Sequence, residues 1–182
     1  DHVFADSAHT RQDLIDLLGV APDKISVLLS AASPHFRRVE DAAALAEVRA
    51  RHGLDAPFIL GLGTLEPRKN LARLMDAFAR LRADGYPHRL ILVGGRGWLD
   101  DPIFAHVERL GLRDRVRFLG YVPDADLPAL YTLADAFAFP SLYEGFGLPP
   151  LEALACGTPT VVADTSSLPE VVGDAALLVP PT

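Results

Sequence analysis

The sequence predicts a doubly wound, Rossmann-like α/β domain, a parallel sheet with helices on both faces. Three observations point to it. From residue 58 onward, short apolar runs alternate with amphipathic stretches. The runs are continuously apolar, as strands buried on both faces require. Between them stand helix start and stop residues: Asn, Asp and Pro at the beginnings, Gly at the ends. Size and composition agree. The chain has 182 residues, 49% hydrophobic and 23% charged, enough for one domain with a proper core.

Taken in order, Val3-Phe4-Ala5 reads as a short strand, Thr10 to Leu18 as a helix stopped by Gly19, and Ile25 to Leu29 as a second strand. Ala31 to Phe36 looks like a linker, and Val39 to Arg51 forms a helix stopped by Gly53. Phe58 to Leu62 opens the main series of strands. Asn70 then caps a helix with Leu71, Leu74, Met75, Phe78 and Leu81 on its apolar face. Leu90 to Val93 is the next strand, Asp101-Pro102 starts a helix through Leu110, and Val116 to Leu119 is a strand ending at Gly120. Asp124 begins a helix carrying Leu127, Leu130, Tyr131 and Leu133, and Ala136 to Phe139 is a fourth main strand. Leu151 to Ala155 is helical, Pro159 to Val162 is a fifth strand and Ala176 to Val179 a sixth. Residues 1–35 are expected to be the tail of a preceding domain with its linker, and residues 36–182 the Rossmann-like domain itself. The chain stops at Pro180-Pro181-Thr182 directly after a strand. It is therefore expected to be a piece of a larger protein, with C-terminal helices missing.

Charge and cysteine content narrow the function. A net charge of -7 argues against a nucleic-acid partner, so any anion site must be a local basic cluster. The lone Cys156 allows no internal disulfide and fits a reducing compartment, as a buried structural thiol. The six His are scattered without metal-ligand spacing. No apolar stretch reaches the roughly 18 residues of a transmembrane helix, and no signal-peptide pattern opens the chain.

In a doubly wound sheet, ligands bind at the carboxyl ends of the strands. The distinctive residues fall there. After the Phe58–Leu62 strand comes Gly63-Thr64-Leu65-Glu66-Pro67-Arg68-Lys69-Asn70. Two cations just before a helix N-terminus oppose the helix dipole unless an anion lies between; a phosphate fits, and a solvated surface pair is the other reading. After Val93 comes Gly94-Gly95-Arg96-Gly97, either backbone approached by a ligand or a flexible turn. It is no dinucleotide fingerprint, and no P-loop occurs. Gly120-Tyr121-Val122-Pro123 either presents backbone to a base or simply turns the chain. The run Glu144-Gly145-Phe146-Gly147-Leu148-Pro149-Pro150-Leu151-Glu152 is the most informative. Gly lets backbone approach a ligand, and Pro starts a helix whose free amides form an anion site. Two acids beside such a site suit a ligand bearing both phosphate and hydroxyls. Alone, their spacing would also suit a glycosidase pair.

Together these residues resemble the nucleotide-sugar-binding half of a GT-B glycosyltransferase of the retaining family 4 (group 1). The resemblance covers residues 36–182 and is carried by Glu66 to Asn70, Phe118 to Val122, and Pro140 to Ala153 with its two Glu. Residues 1–35 resemble the end of that family's N-terminal, acceptor-binding domain. The resemblance implies catalytic roles for Glu144, which would contact donor-sugar hydroxyls, and for Arg68 and Lys69, which would neutralise the diphosphate. It implies donor contacts from Glu152 to the ribose, from the amides of Phe146, Gly147 and Leu148 to the diphosphate or sugar, and from the Val122 backbone to the base. Gly63, Thr64 and Gly94 complete the expected donor-binding set. Many relatives carry Arg where Thr64 stands, so that phosphate contact is lost or supplied by Arg68. The linker also departs, reading Ser30-Ala31-Ala32-Ser33.

The implied function is transfer of a sugar, first of all mannose from GDP-mannose, to a glycan or lipid-linked acceptor bound by the missing N-terminal domain. UDP-sugars follow as donors. No cofactor and no metal are expected, and the isolated chain is expected to transfer poorly. The expected location is cytoplasmic, peripheral at the inner membrane face in the full-length protein. The alternatives are a non-catalytic nucleotide-sugar-binding module and a GT-B epimerase or phosphorylase, which the Glu spacing disfavours.

Overall fold

The computed structural model describes residues 1–97 and 101–182. In chain order the elements are β1 (Val3–Ala5), α1 (Ala8–Leu18), β2 (Ile25–Val27), α2 (Ala42–Arg51) and β3 (Phe58–Leu62), then α3 (Leu71–Ala83), β4 (Arg89–Val93), α4 (Asp101–Arg109) and β5 (Val116–Gly120), and finally α5 (Leu127–Leu133), β6 (Ala136–Phe139), α6 (Leu148–Ala155), β7 (Thr160–Ala163), α7 (Leu168–Val172) and β8 (Leu177–Val179). Six strands form one sheet in the order β5-β4-β3-β6-β7-β8, every pair parallel. β1 and β2 form a separate parallel pair.

The continuous apolar runs are buried on both sides, as expected. Along β4, Leu90 and Leu92 enter one core while Ile91 and Val93 enter the other. The first core packs Val48 of α2, Leu130 and Tyr131 of α5 and Ala153 of α6 against Phe58, Leu60, Phe137 and Val162 of the sheet. The second packs Leu71, Met75 and Phe78 of α3 with Ile103 and Val107 of α4.

Several boundaries differ from the expectation. α1 starts at Ala8 rather than Thr10, because Ser7 accepts the Thr10 amide and caps the helix. α2 starts at Ala42 rather than Val39, with Asp41 as its cap; the Val39 amide donates instead to Thr132. β2 ends at Val27. Asp124 opens a single 3₁₀ turn before α5 rather than α5 itself. Asn70 stands at the N-cap of α3, but its side chain does not cap. Its φ of 55° is left-handed, which Asn tolerates, and its amide donates to the carbonyls of Pro140 and Pro181. α6 begins at Leu148, so Pro149 and Pro150 lie inside its first turn, where their missing N–H groups cost nothing. α7 was not anticipated, although Pro169 near its start and Gly173 at its end carry the usual signals.

Candidate functional site

The chain runs outward from β3 through β4 to β5, then returns to place β6 on the other side of β3. Helices on the two sides therefore diverge, and a crevice opens at the carboxyl ends of β3 and β6. The loops that follow these two strands line it. They are joined directly: the Leu142 amide donates to the Arg68 carbonyl at 2.9 Å.

Arg68 and Lys69 reach across this junction. Arg68 pairs with Glu144 Oε2 at 2.8 Å and with Glu66 Oε1 at 2.6 Å, and donates to the Tyr143 carbonyl. Lys69 Nζ meets Glu144 Oε1 at 2.6 Å and lies 4.9 Å from the centroid of the Phe139 ring. Both Glu144 oxygens are thus held by cations, and its side chain is only 11% exposed. Burial alone would push the Glu144 carboxyl up. The hydrogen bond and charge of Lys69, with hydrogen bonds from Ser141 and Arg68, outweigh it and hold the carboxyl below the usual range. Where the sequence reading offered a phosphate or solvent beside the two cations, the structure adds an anion of the chain itself, Glu144.

The Glu144–Gly147 loop is fixed by hydroxyls. Ser166 Oγ accepts the Glu144 amide. Ser167 Oγ lies 2.9 Å from the Glu144 carbonyl and 2.7 Å from that of Phe146. Ser7 and Thr10 both donate to the Gly145 carbonyl. Among the described residues, no acceptor is recorded for the amides of Phe146 and Gly147, and the Leu148 amide is the first of α6, where no intrahelical partner exists. Gly147 has a φ of +107°, and a Cβ there would lie 2.7 Å from Leu168, so only Gly fits this turn.

Glu152 lies on α6, where its Oε2 accepts from the Tyr131 hydroxyl at 2.9 Å. Burial pushes its carboxyl up, and the Tyr131 hydrogen bond offsets only part of that. Beyond the β3, β4 and β5 ends lies a cavity of 260 Å³, lined by Leu62, Gly63, Thr64, Val93, Gly94, Tyr121, Val122, Asp124 and Leu127. Gly63, Thr64, Gly94 and Val122 therefore share one wall system, and Gly63 abuts the Lys69 side chain of the ion-paired cluster, where a Cβ would lie 3.0 Å from Lys69 Cε. Within the glycine run after Val93, Gly94 answers to a contact that neither sequence reading included. A Cβ on Gly94 would lie 2.0 Å from the Gly63 carbonyl oxygen, so the contact that demands Gly is between two loops of the chain.

Sequence reasoning missed Ser7, Thr10, Tyr131, Ser166 and Ser167. Only Ser7 carried a local signal, as a cap before an amphipathic run; the others meet the site through long-range contacts. Among the described residues, no group of His, Cys, Asp or Glu could hold a metal ion, and no helix is long and apolar enough to cross a membrane.

Residues 46–182 match the family described as "Glycosyl transferases group 1". The chain is 43% identical over 178 residues to the O-antigen chain mannosyltransferase B of Escherichia coli, covering 96% of this chain and 46% of that protein. It is 38% identical to the serotype-specific mannosyltransferase WbdA of Escherichia coli, covering 95% of this chain and 22% of that protein. Among solved structures, Anabaena HepE in complex with UDP and glucose superposes with a TM-score of 0.86 at 28% identity, over 99% of this chain and 49% of that one. The chain thus spans less than half the length of these proteins, and its fold is that of the Rossmann-like half of GT-B glycosyltransferases.

Proposed function

This chain belongs to the group 1 glycosyl transferases, and on that premise we propose that it is the donor-binding part of a retaining family 4 enzyme, residues 36–182 forming the nucleotide-sugar domain and residues 1–35 the end of the acceptor-binding one. The donor is a nucleoside diphosphate sugar, with GDP-mannose first among candidates because two of the relatives named above are mannosyltransferases. The same relatives do not favour the epimerase or the non-catalytic alternative. The observation that carries the reading is the junction at the sheet's switch point, where Arg68 and Lys69 meet Glu144 at the start of the loop that carries the Phe146 and Gly147 amides.

Transfer breaks the bond from the sugar's anomeric carbon to the diphosphate oxygen, and negative charge grows on the leaving group. Stabilising that charge is the main catalytic task. Arg68, Lys69 and the α6 N-terminus supply the positive field. Glu144 positions sugar hydroxyls and is not the nucleophile. The acceptor hydroxyl attacks the same face, and its proton passes to the departing diphosphate. Glu152 receives the ribose hydroxyls, and the cavity lined by Val122, Gly63, Thr64 and Gly94 takes the base. The acceptor is a glycan or a lipid-linked glycan held by the rest of the protein, which would work at the cytoplasmic membrane face.

Calorimetric titration of the chain with GDP, UDP and ADP tests the site, and absence of binding by all three at millimolar concentration sinks it. In the full-length protein, Glu144→Ala is expected to keep nucleotide binding and lose sugar transfer.

A further inference from the structure

We propose that Ser7, Thr10 and Ser167 are positioning residues that aim the Phe146 and Gly147 amides at the donor's anionic group, so that α1 completes the donor site. The inference rests on the donor-site reading above and goes beyond it in assigning roles to residues of the N-terminal segment and of the α7 start.

Peptide units are planar and trans, so a carbonyl oxygen and the next residue's N–H point in opposite directions from one rigid plate. Holding one edge of the plate sets the other. In this loop three successive plates have hydroxyls at their carbonyl edges, the single Ser167 proton serving one of the two outer carbonyls at a time. Ser167 Oγ lies within hydrogen-bond reach of the carbonyls of Glu144 and Phe146, at 2.9 and 2.7 Å. The Gly145 carbonyl between them receives the hydroxyls of Ser7 at 2.7 Å and Thr10 at 3.0 Å. Fixing the Gly145 carbonyl orients the Phe146 amide, and fixing the Phe146 carbonyl orients the Gly147 amide. Ser7 and Ser167 are completely buried, so water does not compete for these bonds.

The N-terminal segment is itself anchored on both flanks of the loop. Both carboxylate oxygens of Glu170, from α7, accept the Ala8 amide at 2.9 Å. On the other flank the Tyr143 hydroxyl donates to Asp13 at 2.6 Å. Helix α1 is thereby fastened to residues on either side of Gly145, and its two hydroxyls bear on the carbonyl between them. A purely structural role would satisfy the same carbonyls but would leave ligand affinity untouched in any variant that folds.

The test is calorimetric titration of the 182-residue chain with GDP, UDP and ADP, well below each variant's unfolding temperature. Ser7→Ala/Thr10→Val and Ser167→Ala are each expected to bind the preferred nucleotide about tenfold more weakly, since a misaimed amide forfeits a charge-assisted hydrogen bond. Thr10→Ser, which keeps the hydroxyl, is expected to bind as the wild type does. Wild-type affinity in the folded double variant overturns the role of α1. If the double variant does not fold, wild-type affinity in both Thr10→Val and Ser167→Ala overturns the proposal instead. Absence of binding by the wild-type chain overturns the donor-site reading and this inference with it.

Discussion

Glu144 and Glu152 bracket one loop, yet the chain places them in opposite electrostatic settings. Glu144 is clamped between a lysine and an arginine, and its carboxyl is held below the usual range. Glu152 meets a neutral phenol, and burial drives its carboxyl above that range. The difference teaches that two acids of one motif divide into one paired with cations and one met by a neutral donor. Glu144 is part of the frame that joins the loops after β3 and β6. Glu152 makes no salt bridge among the described residues; its partner is the Tyr131 hydroxyl, and His35 offsets only part of the cost of its burial.

The comparison is open to attack by substitution. Lys69→Met removes the closer cation and leaves the nearly buried Glu144 with Arg68 alone. It should cost about 3 kcal/mol in urea unfolding at neutral pH, as breaking a buried ion pair does. A loss below about 1 kcal/mol would mean that Arg68 alone suffices. Glu144→Gln should cost about 2 kcal/mol at neutral pH, because it strands Lys69. Its pH dependence has a fixed sign. A carboxyl whose folded pKa lies below its ordinary value of 4.5 stabilises above that value. The stabilisation is lost as pH falls through the folded value. The deficit of the Gln variant should therefore shrink in acid.

Tyr131→Phe probes the other end. It removes the donor to Glu152 and should cost about 1 kcal/mol, with the Glu152 carboxyl titrating at still higher pH. Glu152→Gln should have the smallest effect, and of opposite sign. Its raised carboxyl costs nothing below the ordinary value of 4.5, and the penalty sets in as pH rises through the folded value. At neutral pH the Gln variant should be the more stable by less than about 1 kcal/mol, the gap closing in acid. Parallel pH profiles for the two Gln variants would erase the contrast.

The fold was largely legible because parallel strands buried on both faces write themselves as apolar runs. Phe58 to Leu62 and Ala136 to Phe139 needed nothing beyond that pattern. The residues around the site were legible as types, since Gly147 and Pro149 announce a tight turn into a helix. Their partnerships were not. Nothing local in the sequence says that Lys69 meets Glu144, 75 residues away, because that contact follows from the return of β6 to the side of β3. Asn70 was read as a cap because Asn is good at capping; its left-handed φ and the donation of its side-chain NH2 to the tertiary carbonyls of Pro140 and Pro181 hold the side chain elsewhere, and its oxygen does not cap the helix. Ser7 was read only with a segment set apart from the main domain, and its hydroxyl meets the loop across a sequence separation of 138.

Cys156 follows the last residue of α6, on the helix that carries Glu152, and is 1% exposed. Burial pushes its thiol up to about 11, so at neutral pH it is protonated as well as covered. Alkylating reagents attack thiolates, and they need access. The single thiol is therefore a built-in clock: its labelling rate reports how often the layer beneath α6 opens, and a ligand that steadies Glu152 should slow that clock.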